Sequence, residues 1–526
     1  MARPADRQRD LLGSPLPWFS GTGYNCRMPH SSLADFLEEL AQYGELARVN
    51  AEVDPQLEIA EITRRVARNN GPALLFDRVR GQTMAVVTNL LGSESRVCRA
   101  LGVESLDAIA SRTEALVEQH TPQNWFDRLK MSSDESGVDK FRAKPVKSGP
   151  CQQVVRLGRD IDLNGLPLVK QWPRESGGAI TCGQLITQLR GSEERGVTLC
   201  PLIALDENRL AAVDDGHSGF ARHWDSHMAA NEKMPAAVVL GGDPAGTIAA
   251  SIELPDAIDA YHMTGLLRGS AVDVVKCRTH ALVVPAEADL ILEGYFDPEA
   301  PLVTVEAAAF GGSHYRLPRP APVLHVTAVT HRSHPIIPVL IDSGHQGEIA
   351  ALAKVRERLL LPAVRSVAPG VVDLHVPAYG GLHRFAFVSM RKTHAFEARQ
   401  VASALWGSPA LRFTKFLILV DDHVDVHDTP RVLAAVGANV SPERDVFSYD
   451  GPTHGSDHSQ LAAGLGRHLG IDATAKIAGE QAGHWPAPLA AGTEIVQLVT
   501  ARWAEYGVVG IRGSGLGVRD ETGKRP

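Results

Sequence analysis

Gly196-Val-Thr-Leu-Cys-Pro201-Leu-Ile-Ala-Leu205-Asp-Glu-Asn-Arg-Leu210-Ala-Ala-Val-Asp-Asp215-Gly-His217 is the stretch on which the reading of this chain turns. Residues 198–205 read as a strand, and Asp-Asp-Gly-His reads as a polar turn. Pro201 falls inside that strand, where its ring removes a backbone N–H. Outward from it, residues 151–341 carry mostly strand signals: 154–155, 184–189, 236–240, 272–275, 290–292 and 324–329. Short strands punctuated by Gly and Pro predict a barrel or a barrel-like sheet.

The flanks read differently. Residues 31–112 alternate helix and strand signals. Ser31 or Ser32 is positioned to cap a helix whose Leu33, Phe36, Leu37 and Leu40 share one face. A helix follows over 57–69, with short strands at 73–76 and 84–88. From 346 onward the alternation returns, with helices over 348–359 and 396–405 and buried strands over 385–390 and 416–421. The fold class is therefore α/β (α+β). The expected division is a flexible extension over 1–30, an α/β domain over 31–144, a central barrel or barrel-like sheet over 145–341, a C-terminal α/β domain over 342–505 and a tail over 506–526. Met28 is expected near the natural start of folded structure. Residues 121–150 read as a polar connector, and the Gly-rich, charged stretch after Arg512 as disordered.

With 526 residues the chain exceeds one compact core. A net charge of −8 gives no general attraction to nucleic acid or anionic lipid, though it leaves room for a local basic pocket for a phosphate. The six cysteines are scattered with no CxxC pair, which fits reduced thiols in a cytoplasmic protein. No apolar run reaches the roughly 20 residues of a membrane span, and no secretory signal is visible.

Several strings, in order, resemble the UbiD family of decarboxylases, which use prenylated flavin mononucleotide. They are Pro145-Val-Lys-Ser-Gly-Pro-Cys, Leu166-Pro-Leu followed by Trp172-Pro, and Met234-Pro-Ala-Ala-Val-Val-Leu-Gly-Gly-Asp-Pro. The series continues with Gly265-Leu-Leu-Arg-Gly, Val275-Lys-Cys, Val284-Pro-Ala, Leu292-Glu-Gly-Tyr, Ala404-Leu-Trp-Gly, Phe413-Thr-Lys-Phe and Asp425-Val-His-Asp. The likeness runs from about residue 31 to about 460. It implies a central split barrel that holds the flavin, a C-terminal domain involved in oligomerisation, and reversible loss of CO2 from an aromatic or α,β-unsaturated acid. The flavin serves there as electron sink, and the protein positions the acid, desolvates its carboxylate and returns a proton.

By the same resemblance a divalent metal, usually manganese, links the flavin phosphate to an Asn, a His and a Glu. His217 falls on the family His. Gly196 stands at the Asn position and Ala260 at the Glu position, with Asp259 one residue away. The family's catalytic Arg falls on Pro201, where no side-chain repair is available. Glu306 matches the first of two acids, and Gly311 or Gly312 stands where the second would be. Thr181 matches a position near the flavin ring, Ser251 one near the phosphate, and Lys415 lies in a strongly matching segment. Each of these also reads as an ordinary structural residue. His314 is a nearby group able to titrate near neutrality.

Two constellations lie outside the resemblance. His223 and His227 have the i, i+4 spacing of a zinc site, but Trp224 replaces the expected Glu, and a solvated helix face is the plainer reading. Asp421-Asp-His-Val-Asp-Val-His-Asp has the composition of a cation cluster but lacks the glycine turn and terminal Glu of a calcium loop. Two functions follow. One is an active decarboxylase of a small-molecule carboxylic acid with an altered site. The other is a silent paralogue that binds a ligand or assembles with an active homologue, the chain being a homo-oligomer or hetero-oligomer.

Overall fold

The computed structural model describes residues 30–111, 139–252, 259–309, 311–379, 381–382, 384–409, 411–459, 464–481, 485–486, 489 and 491–507. The expected N-terminal extension, nearly all of the region around Met28, most of the 121–150 connector and the tail beyond Arg512 lie outside them. The chain divides into two units, one ending at Thr474 and one beginning at Ala475.

The first helix, Leu33–Gln42, forms where its apolar spacing predicts. Ser32 accepts from the Asp35 N–H while the Asp35 carboxylate accepts from the Ser32 N–H, a reciprocal cap that satisfies two otherwise orphaned donors. Leu33, Phe36, Leu37 and Leu40 turn inward. The helix Glu58–Arg68 follows. The N-terminal sheet pairs Leu46–Val49 with Ala73–Phe76 in parallel and Ala73–Phe76 with Ala85–Thr88 antiparallel. Its fourth strand, Ile336–Val339, arrives after the whole central region and runs parallel to Ala85–Thr88. The chain thus returns to its first sheet before entering its last.

The central sheet has nine strands and curls into a half-barrel. Its middle is Val323–His331, Leu290–Phe296, Met234–Leu240 and Gln184–Gln188, all antiparallel neighbours. The bulge between Glu293 and Gly294 needs glycine, because a Cβ at 294 would lie 2.2 Å from the His325 carbonyl oxygen. Inward residues such as Leu185, Val238, Leu292 and Phe296 are fully buried, each contributing roughly 1.5–3 kcal/mol.

The expected strand over 198–205 is two strands, Arg195–Leu199 and Leu202–Ala204. Cys200 and Pro201 separate them, because Pro201 has no N–H to donate. The first pairs with Gln184–Gln188, the second with Arg209–Ala212 and Ala179–Ile180, so the chain crosses between edges of the curled sheet.

The helix Glu348–Val367 leads into a five-stranded sheet ordered Val371–His375, Phe385–Met390, Phe416–Asp421, Leu465–Asp472 and Val446–Pro452. Helix Glu397–Gly407 packs on it. In the unit from Ala475, helix Thr493–Ala501 precedes a single turn at Trp503–Tyr506. Among the described residues no helix is long and apolar enough to cross a membrane.

Candidate active site

A cavity of about 590 Å³ opens beside the 196–217 stretch. That volume suits a cofactor-sized ligand. Val197, Leu199, Ile252 and Leu382 supply apolar wall. The helix Glu348–Val367 presents Ile349, Leu352, Ala353 and Arg356 to it, an i, i+3, i+4, i+7 stripe. Among the described residues five arginines line the cavity: Arg195, Arg222, Arg316, Arg356 and Arg412. Three carboxylates, from Glu194, Asp214 and Asp215, accompany them.

One polar group gathers around Pro201. The Pro201 carbonyl accepts from the Val213 N–H at 2.9 Å. The buried Arg316 guanidinium donates to the carbonyls of Val213 at 3.3 Å and Asp214 at 3.0 Å, and pairs with Asp215. Arg316, distant in sequence, thus brings a guanidinium to the turn that is hydrogen-bonded to Pro201. His454 Nε2 lies 3.3 Å from the other oxygen of Asp215. Asp214 accepts from the Ser218 hydroxyl at 2.6 Å and the Gly216 N–H at 2.6 Å. Desolvation by the cavity wall outweighs these bonds and pushes its carboxyl above the ordinary range.

A second polar group sits at the start of strand Arg195–Leu199. Glu194 pairs with Arg222, and Arg195 pairs with Asp259 at 3.0 Å. Asp259 also accepts from the N–H groups of Tyr261 and His262, capping helix Ala260–Arg268.

The residues singled out from sequence are divided. His217 lines the cavity; its ring packs 4.8 Å from Phe413 and its carbonyl accepts from Arg412 at 3.3 Å. Ser251 also lines the cavity, with its hydroxyl donating to the Ile248 carbonyl at 2.7 Å. Thr181 is buried and donates to the Leu340 carbonyl at 2.8 Å, and it is not part of the lining. Glu306 is exposed, pairs with Arg174, and stands outside the lining as well. That ion pair lowers its carboxyl pKa, the reverse of what a proton donor needs. His314 stacks on His458 at 3.9 Å, away from the lining. Lys415 reaches Asp457 at 3.3 Å.

Neither histidine of the i, i+4 pair lies on a solvated face. His223 is fully buried with Nδ1 2.9 Å from the Thr187 hydroxyl, and burial holds it neutral by lowering its pKa. His227 Nε2 is 3.3 Å from the Gln188 carbonyl. From the 421–428 run, His427 joins His375 and Glu357 in a group whose ligand-type atoms all lie within 4.8 Å. Arg358 occupies the same place, 3.0 Å from Glu357 and 2.8 Å from Asp373, so a guanidinium already neutralises these carboxylates.

The donor set for a divalent metal is not assembled at the cavity by the described residues. Ala260 offers no donor. A Cβ at Gly196 would lie 2.9 Å from His223 Cε1, leaving no room there for a longer side chain. Asp259 is committed to its helix cap and to Arg195. His217 alone remains. Among the described residues, the groups of three ligating side chains are Cys277, His280, Glu293 and Glu357, His375, His427, neither on the cavity.

Sequence reasoning missed Arg195, Arg222, Arg316, Arg356, Arg412, Asp214 and His454. For Arg356 a signal existed: with Ile349, Leu352 and Ala353 it makes an i, i+3, i+4, i+7 series. Arg316 carried none, since its role depends on a contact far along the chain.

Comparison with known proteins agrees with this architecture. Models of three domains of 3-octaprenyl-4-hydroxybenzoate carboxy-lyase match in order: the N-terminal domain over residues 37–116, the Rift-related domain over 143–345 and the C-terminal domain over 350–473. A protein of Aquifex aeolicus described only as uncharacterized is 35% identical over 492 residues, covering 92% of this chain and all of that protein. Among solved structures, vanillic acid decarboxylase of Sedimentibacter hydroxybenzoicus in its closed form superposes with a TM-score of 0.79 at 25% identity, covering 91% of this chain and 98% of that one. The UbiD-class enzyme HmfF of Pelotomaculum thermopropionicum, solved in complex with FMN, gives 0.71 at 27% identity, covering 87% and 97%. Three matched domains, a curled central sheet and a cofactor-sized cavity lined by its strands make this chain a member of the UbiD family.

Proposed function

We propose that this chain is a prenylated-FMN-dependent decarboxylase of an aromatic or α,β-unsaturated carboxylic acid. The observation that carries the reading is Arg316, whose guanidinium lines the cavity at the turn hydrogen-bonded to Pro201 and serves in this reading as the carboxylate anchor. HmfF has been solved in complex with FMN and with prenylated FMN, which supports a flavin here. Aliphatic walls and cationic ends suit a flat ring bearing a phosphate.

When bound, the flavin supplies the sink for the electron pair of the breaking C–C bond. The protein does the rest. Arg316 fixes the substrate carboxylate in its ionised form by charge-assisted hydrogen bonds. The apolar wall strips water from that carboxylate and weakens its hold on the charge. CO2 leaves, and the vacated carbon takes a proton. Asp214 is the donor: desolvation keeps its carboxyl protonated to higher pH than an ordinary Asp, and the Ser218 hydroxyl and Gly216 N–H orient it. Asp215 holds Arg316, and His454 in turn braces Asp215. The role expected of Glu306 thus falls to Asp214.

The test is expression with a flavin prenyltransferase, followed by assay of a panel of aromatic and unsaturated acids for CO2 release and for solvent deuterium uptake at the α-carbon. Turnover that falls at least a hundredfold in Arg316→Gln supports the reading, since removing one such electrostatic anchor costs about 3 kcal/mol. The exposed, ion-paired Glu306 favours the silent alternative. A flavin-loaded chain inert to every acid would establish it.

A further inference from the structure

The cavity presents guanidinium groups where the family resemblance calls for metal ligands. We infer that this chain holds the flavin phosphate by Arg195 and Arg222 in place of a divalent metal, an inference that rests on the flavin reading above. Of the family's three metal-ligand positions, only His217 keeps a donor side chain. At Gly196 the fully buried His223 ring fills the space a ligand side chain would need. At Ala260 the side chain is a methyl group. The neighbouring carboxylate, Asp259, turns one oxygen to the helix Ala260–Arg268 and the other to Arg195.

Arg195 directly precedes the emptied Asn position, and Arg222 stands one residue before the histidine that fills it. Both line the cavity. The metal's task at this place is to offset phosphate charge, and two guanidiniums can do the same. Each carries five N–H donors in a fork that matches phosphate oxygens. Glu194 and Asp259 hold the two forks in place through their ion pairs. Two of the family's ligand positions thus carry no donor, and beside them two guanidiniums line the cavity, each with N–H donors beyond those given to its carboxylate partner.

Flavin binding tests this without turnover. The purified chain is titrated with FMN and with riboflavin, which lacks the phosphate, in the presence of EDTA or of manganese, with flavin fluorescence as readout. The expected result is FMN affinity that is the same under both conditions and exceeds that for riboflavin. Arg195→Gln and Arg222→Gln should each weaken FMN roughly tenfold, as loss of a charge-assisted bond does, and leave riboflavin unchanged. The wild-type comparison stands even if a variant folds poorly. Manganese that tightens FMN tenfold or more, or metal that copurifies one per chain, would overturn the inference and leave the decarboxylase reading intact. Binding of neither flavin would overturn both.

Discussion

At Gly196 a single hydrogen replaces a side chain, and the His223 ring shows why. That ring is fully buried, bonded to Thr187, and stands 2.9 Å from where a Cβ would be. Gly196→Asn, which restores the family ligand, should therefore cost about 1–3 kcal/mol by overpacking and should not create a metal site. A urea melt and metal analysis of the variant check both parts. Asp214 carries a different kind of prediction. Its carboxyl is held above the ordinary range, and the proposed mechanism makes its protonated form the active one. Turnover should then decline as pH rises through that shifted pKa. Asp214→Asn should abolish proton return, read as loss of solvent deuterium uptake. Neither residue could be assigned its part from sequence: Gly196 marks a vacancy there, and Asp214 a turn.

Among the elements, helix Glu348–Val367 does two things with two faces. One face lines the cavity through Ile349, Leu352, Ala353 and Arg356. At its first turn Glu348 is buried and accepts from the N–H groups of Asn89 and Leu91, each at 3.1 Å, tying the helix to the N-terminal domain. Burial pushes the Glu348 carboxyl up to about 7, against an ordinary value of 4.5. A raised folded-state value means that the native chain keeps this proton when the unfolded chain has lost it. Its stabilising contribution is complete below pH 4.5 and is lost as pH rises toward 7. The loss is on the order of 3 kcal/mol. Glu348→Gln should flatten that slope, checked by denaturant midpoints across the interval. At the first helix, Ser32→Ala should cost about 1 kcal/mol by opening the reciprocal cap.

At the scale of the whole molecule, the cavity is built from pieces distant in sequence. Strand Arg195–Leu199 and the 213–219 turn come from the curled sheet, while Arg356, Leu382, Arg412 and His454 come from the region beyond it. Arg412 to the His217 carbonyl and His454 to Asp215 already join the two. A ligand in the cavity touches both regions and stabilises their association. FMN at a hundred times its dissociation constant should add about 2.7 kcal/mol to the unfolding free energy, read as a rise in melting temperature that riboflavin reproduces only at higher concentration.

Sequence alone determined many of the elements and their order. The apolar spacing of Leu33 to Leu40, the strand runs at 385–390 and 416–421 and the succession of family strings all act locally, through hydrogen-bond periodicity and burial of one face. It also flagged the missing N–H of Pro201, a property of one residue, but read a single strand over 198–205 where the structure has two. Tertiary structure alone decided which residues line the cavity. Whether Arg316 replaces a lost cation, whether Glu306 faces the cavity or an outward Arg174, and whether His223 is a ligand or a filler all depend on which side chains meet. Those meetings are fixed by how a curled sheet and a following helix bring distant residues together, and electrostatic and packing energies at a few ångströms leave no trace in the linear order.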